Sequence, residues 1–264
     1  MSHFFRQLRY GISFALFGCG GLFLSYVIFP TVWIIVRDSR NREYTCQYII
    51  SFSFEMFVKF MVALGVIDLK IENGNKLVVG EGCLVVANHP TLIDVVIIIS
   101  QLRQCDCIVK AELWHNPFVR HVVKMAGYIP NNSDDLLQLC QSKISQGRKL
   151  LVFPEGTRTV PNENIVCQRG AAQLAIRCNA NIQRVQINCY PLTLNKGVAW
   201  YDVPKTRACF DLWVCDVESV VPIIESSKTT PLAARKLTNY FNVALKPIVE
   251  NRFYVVKDYV NERP

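Results

Sequence analysis

A histidine and an aspartate five positions apart, in Asn88-His89-Pro90-Thr91-Leu92-Ile93-Asp94, are the residues of this chain best suited to chemistry. Imidazole has an unperturbed pKa near ~6.5, so His89 can take a proton from an alcohol at neutral pH. A carboxylate on its second nitrogen fixes tautomer and orientation. On one helix, residues so spaced diverge by roughly 140°. The spacing therefore predicts His89 in the cap of a helix whose first residue is Pro90, with Asp94 about one turn inside and reaching back. The same string also fits a histidine that is merely structural.

A second string closes another apolar strand. Lys149-Leu150-Leu151-Val152-Phe153 runs into Pro154-Glu155-Gly156-Thr157-Arg158. Proline and glycine at a strand end make a turn that exposes backbone N–H groups, and Gly156 is free to adopt positive φ. Arg158 brings a planar fork of donors suited to phosphate or carboxylate. Alternatively, Glu155 and Arg158 simply pair with each other.

The two strings, about 60 residues apart, closely resemble the NHxxxxD and FPEGTR blocks of the glycerolipid acyltransferase family, the 1-acylglycerol-3-phosphate and lysophospholipid acyltransferases. The resemblance runs from Asp68 to Leu194. It implies an O-acyltransferase that moves an acyl group from acyl-CoA or acyl carrier protein to a lipid hydroxyl. His89 would be the base and Asp94 its orienting partner. Glu155, Gly156, Thr157 and Arg158 would contact substrate. Lys110, in Val-Lys-Ala-Glu-Leu, resembles the family's K-x-E-L block, though a surface lysine at a strand end fits as well. Arg169, in Cys-Gln-Arg-Gly-Ala-Ala, resembles its basic-Gly-Ala helix start. No metal or resident cofactor is implied, and no G-x-S-x-G elbow is present to carry a covalent intermediate.

One block departs from the family. Where a Gly-x-x-Phe-x-x-Arg string usually supplies an arginine for the acceptor's phosphate, this chain reads Gly127-Tyr128-Ile129-Pro130-Asn131-Asn132-Ser133. The family resemblance implies a 1-acylglycerol-3-phosphate or other lysophospholipid as acceptor, but without that arginine lysophosphatidic acid is expected to be a poor one, which favours another lyso-lipid or a non-glycerophosphate lipid such as an aryl-polyene or lyso-aminolipid conjugate. A weaker resemblance to small bacterial acyltransferases of aryl-polyene pathways points the same way, and to a bacterial inner membrane with the site facing the cytoplasm. A thioesterase and a non-catalytic membrane-binding protein remain rivals.

The chain has 264 residues, 51% hydrophobic and 19% charged, with a net charge of +8. That apolar balance suggests membrane contact. The charge suits an anionic bilayer, an acidic carrier protein or a phosphorylated substrate. Lysines and arginines are scattered with no basic stripe, which argues against nucleic acid. The eleven cysteines show no framework spacing, and Cys105-x-Cys107 lacks a second ligand pair. Reduced, buried thiols in a cytosol-facing domain account for them better than zinc.

These residues need positioning. From Val66 onward, apolar strands at 67–71, 84–87, 108–110, 150–153, 185–190 and 210–214 alternate with helical patterns at 92–102, 116–125, 134–146 and 171–177. A last helix is expected at 230–249. The pattern predicts an α/β fold, a largely parallel sheet flanked by helices, with the site beyond the strand C-termini. Residues 1–67 read as membrane-anchoring helices and 68–264 as the catalytic domain. Gly11–Val36 carries no charge over about 26 residues, as one span or a broken re-entrant hairpin. In Tyr44–Ile67, Gln47, Ser51, Glu55 and Lys59 form one polar stripe on an otherwise apolar helix, in an interface, against another membrane helix, or in a core.

Overall fold

The computed structural model describes residues 3–77, 82–160 and 163–246. Its N-terminal part is helical almost throughout. Helix α1 (His3–Phe23) passes through a π-helical turn (Leu24–Ile28) into α2 (Phe29–Ile35). The turn has a local cause. Pro30 has no N–H, and its ring collides with a carbonyl four residues back in a regular helix. Here the Phe29 N–H bonds to the Leu24 carbonyl, widening the helix just ahead of the proline. A reversal follows, where the Asp38 carboxylate caps α3 (Ser39–Ala63) by accepting the Asn41 N–H at 2.8 Å.

Helix α3 turns the first half of its polar stripe inward and leaves Lys59, at the far end, exposed. Gln47 and Ser51 are buried, while Tyr48, Phe52 and Met56 are each about half exposed, at 49%, 50% and 51%. This is the reverse of a water-soluble helix. Along α1 and α2, Phe4, Phe5, Trp33, Ile34 and Ile35 likewise point outward. The two apolar stretches, His3–Ile35 and Ser39–Ala63, are long enough to cross a membrane. Their outward faces are consistent with membrane association.

Next come β1 (Ile67–Glu72), β2 (Leu84–Ala87), α4 (Asp94–Gln101), β3 (Asp106–Val109), α5 (Arg120–Met125), β4 (Ile129–Pro130), α6 (Leu136–Ser145) and β5 (Leu150–Val152). The remaining elements are α7 (Arg169–Arg177), β6 (Ile182–Tyr190), β7 (Ala208–Glu218), α8 (Val221–Glu225) and α9 (Thr230–Ala244). The sheet order is β1-β7-β6-β2-β5-β3-β4. Strands β6, β2, β5, β3 and β4 run parallel, while β7 is antiparallel to β6 and carries β1 with it. Strand alternation splits the core between two faces. Val85 and Ala87 pack with α3 and α4, and Leu84 and Val86 pack with α7 and α9.

The α/β reading with a largely parallel sheet holds. Strand β4 and helix α8 were not legible, because two and five residues are too few to show a period. The expected end of the last helix at Val249 lies outside the described residues. The helix expected from Pro90 begins instead at Asp94, and His89 and Pro90 lie in the preceding coil. Asp94 is the residue at the positive end of the α4 dipole.

Candidate active site

The C-terminal ends of β2, β5, β3 and β6 lie side by side on one edge of the sheet. His89 and Asp94 follow β2 and meet there, with Nδ1 of His89 2.8 Å from Oδ2 of Asp94. The meeting depends on Thr91. Its N–H donates to Asp94 Oδ2 at 2.6 Å and its hydroxyl to Oδ1 at 2.5 Å. The carboxylate reaches back to a backbone N–H three residues earlier, in the turn that precedes α4. Asp94 thus accepts three hydrogen bonds while wholly buried. Burial raises its carboxyl above the ordinary value, and the bonds from His89 and Thr91 oppose that rise. With Nδ1 committed to Asp94, Nε2 is the nitrogen left to receive a proton. The ring stacks on Phe153 at 4.3 Å between centroids, which fixes its plane.

Glu155 and Arg158 do not pair with each other. Glu155 accepts the backbone N–H of His89 at 2.8 Å and the Thr159 hydroxyl at 3.0 Å. The Thr159 N–H returns to the His89 carbonyl at 2.7 Å. The second string thereby grips the first directly. Arg158 donates through Nη1 to the Leu194 carbonyl at 3.0 Å and the Asn195 carbonyl at 3.1 Å. Leu194, held at φ 52, also accepts the Leu92 N–H at 3.0 Å. One carbonyl beyond β6 thus joins both strings.

Gly156 takes the positive φ expected of it, 68°. Its N–H bonds to the Phe153 carbonyl and is spent inside the turn, so it is not an oxyanion donor. Thr157 is exposed beside it. Arg169 is exposed at the first position of α7, next to Gln168, whose N–H bonds to the Pro154 carbonyl. Lys110 is exposed at the end of β3, two strands from β2, or about 10 Å across the sheet. Asn131, at the position of the missing arginine block, accepts the Ala111 N–H at 3.1 Å and so holds the turn after Lys110.

An apolar cavity of about 290 Å³ is lined by Leu92, Ile93 and Val95, the chain neighbours of Asp94, and not by His89 or Asp94 themselves. Phe14 and Phe17 of α1, Phe54 and Phe57 of α3, and Leu92 and Ile93 of the histidine string are among the residues of its wall. The helices expected to anchor the chain also build this wall. Burial pushes the Cys107 thiol, also lining it, up to about 12, which leaves it a poor nucleophile.

Sequence reading missed Thr91, Thr159 and Leu194. Thr91 was findable, because Thr-x-x-Asp is itself a capping signature. Thr159 and Leu194 act through contacts that no local pattern announces.

Residues 68–194 match the family described as Acyltransferase, and this part of the chain belongs to that family. A 1-acyl-sn-glycerol-3-phosphate acyltransferase of Helicobacter pylori is 32% identical over 145 residues, covering 52% of this chain and 61% of that one. A chloroplastic 1-acyl-sn-glycerol-3-phosphate acyltransferase of Brassica napus is 25% identical over 36% of this chain and 29% of its own length. The chain therefore matches less than two thirds of either relative. The crystal structure of the 1-acyl-sn-glycerophosphate acyltransferase PlsC from Thermotoga maritima shares the fold, with TM-score 0.65 at 20% identity over 91% of this chain and 92% of that one.

Proposed function

We propose that the protein is a membrane-anchored O-acyltransferase whose acceptor is a 1-acylglycerol-3-phosphate or close lysophospholipid, with acyl-CoA or acyl carrier protein as donor. The observation that carries this reading is the His89–Asp94 contact of 2.8 Å, with the residues flanking Asp94 lining an apolar cavity of about 290 Å³. A base and a site for an acyl chain thus lie together. His89 Nε2 takes the proton of the acceptor hydroxyl as its oxygen attacks the thioester carbonyl carbon. The tetrahedral intermediate then expels the thiolate, which recovers that proton from His89. Lys110 and the N–H groups following Gly156 are the candidates for holding the oxyanion. Arg169 and Lys110, both exposed at this edge, suit the acceptor's phosphate.

Residues 1–67 serve as the membrane anchor and 68–264 as the catalytic unit, at a bacterial inner membrane with the site facing the cytoplasm. The outward apolar faces of α1 to α3 support the anchor. A second acceptor class, a non-glycerophosphate lipid such as an aryl-polyene or lyso-aminolipid conjugate, is favoured by one observation, that Asn131 and Asn132 stand where the family's arginine would be. Purified protein in vesicles with a labelled acyl thioester separates the readings. Saturable acylation of lysophosphatidic acid is expected. Labelled free fatty acid formed at the same rate without acceptor would instead establish a thioesterase, and transfer only to non-glycerophosphate lipids would favour the second class.

A further inference from the structure

The loop that follows β6 carries an aromatic patch that the proposed reaction does not use. Tyr190, Trp200 and Tyr201 are 80%, 46% and 55% exposed, and Lys196 is exposed among them. The loop is fastened to α1 at three places. The Gln7 side chain donates to the Tyr201 carbonyl at 3.0 Å. The Tyr10 hydroxyl shares a hydrogen bond with that of Thr193 at 3.3 Å. The Trp200 ring packs 5.6 Å from that of Phe14. The indole lies over Gly11, where a Cβ would meet it at 3.6 Å, in ordinary van der Waals contact. The outward residues of the same part of α1 are Phe4, Phe5, Leu8 and Ile12. The aromatic loop therefore extends the outward apolar face of the helix.

We propose that the loop from Tyr190 to Tyr201 is a second membrane-contact element, seating Trp200 and Tyr201 in the headgroup region of the leaflet that receives α1. Indole and phenol rings, apolar with one polar atom, favour that zone. The Lys196 ammonium suits anionic headgroups there. The inference rests on the reading of α1 to α3 as a membrane anchor. It gives the bilayer a route to the chemistry, because the loop contains Leu194, whose carbonyl holds both catalytic strings.

Fluorescence against brominated phospholipids in anionic vesicles tests this with the full chain. A variant with Trp33, Trp114 and Trp213 changed to phenylalanine keeps Trp200 as its lone reporter. Should the triple change impair folding, wild type against Trp200→Phe isolates the same signal by difference. Quenching of Trp200 by lipids brominated close to the headgroup is expected. Trp200→Ala with Tyr201→Ala should lower the vesicle partition coefficient roughly tenfold, equivalent to ~1.4 kcal/mol. Protein that sediments with vesicles while Trp200 stays unquenched overturns the proposal and leaves the anchor intact. Protein that stays in solution overturns both. A change of oligomeric state in the double variant, with vesicle binding unchanged, would assign the patch to a second copy and overturn the proposal as well.

Discussion

Asp94 and Asp106 are both wholly buried, Asp94 opening α4 beyond the C-terminal end of β2 and Asp106 opening β3 at the opposite end of the sheet. Asp94 faces a histidine and a threonine, so one of its partners can gain and lose a proton. Asp106, at the start of β3, faces fixed cations. Arg148 donates from Nη2 to Oδ1 at 2.7 Å with its Nε in ion-pair contact with Oδ2 at 2.6 Å, and Lys143 lies at 3.0 Å. Gln47 of α3 adds a bond at 3.0 Å, and Arg148 and Lys143 both reach Glu43 of the same helix. In the proposed reaction one aspartate prepares a base, while the other ties the apolar helix α3 to the sheet. Burial is shared between them, so the partners decide the role.

Mutations can break this contrast. His89→Ala should lower kcat by about 10²–10⁴-fold with unchanged vesicle sedimentation and thermal unfolding, as measured on purified protein. Near wild-type turnover would remove His89 from the reaction.

Asp106→Ala should cost roughly 3–5 kcal/mol of stability by leaving buried cations unpaired, while turnover per folded molecule persists. Denaturant melts and active-fraction titration read the two separately. Equal losses in turnover would mean that the two ends are not independent.

Asp94→Asn sharpens the same point. The amide can donate to Nδ1 and drive the histidine proton onto Nε2, so activity should fall, though less than in His89→Ala. Stability should behave oppositely. The folded carboxyl lies above its unfolded value near ~3.9, so the folded state holds the extra proton. The contribution of Asp94 is then fully present below that value and lost as pH rises through the raised one. The variant's melting temperature relative to wild type should therefore improve from pH 4 to pH 7; a difference that stays flat with pH would contradict the raised carboxyl.

Arg158→Ala gives the smallest effect. It removes bonds to the Leu194 and Asn195 carbonyls, worth about 1.5–3 kcal/mol for a charged donor. If the arginine only supports the turn, kcat should fall with KM for the acceptor nearly constant. A rise confined to KM would place it on the headgroup, as its residue type suggested.

Much of this was written locally. Each of the two strings closes an apolar run, and the alternation from β1 to α9, the short β4 and α8 apart, follows from hydrophobic period, so the fold class and the His89–Asp94 pair were legible. The helix start was misplaced because proline at a first turn is a preference, whereas the Thr91–Asp94 bonds are a geometry that decides. The polar stripe on α3 was visible too, but not its direction. Periodicity gives a helix two faces without saying which meets protein, and here buried Asp106 draws the polar one inward.

The sequence by itself determined the elements, the reactive residue types and their order along the chain, since these depend on neighbours a few residues away. Only the tertiary structure decided that Glu155 holds the His89 backbone, that Arg158 meets a carbonyl beyond β6, and that α1 and α3 wall the apolar cavity. Those contacts join segments from 36 to more than 60 residues apart. Their partners are chosen by packing across the sheet, which no local pattern encodes.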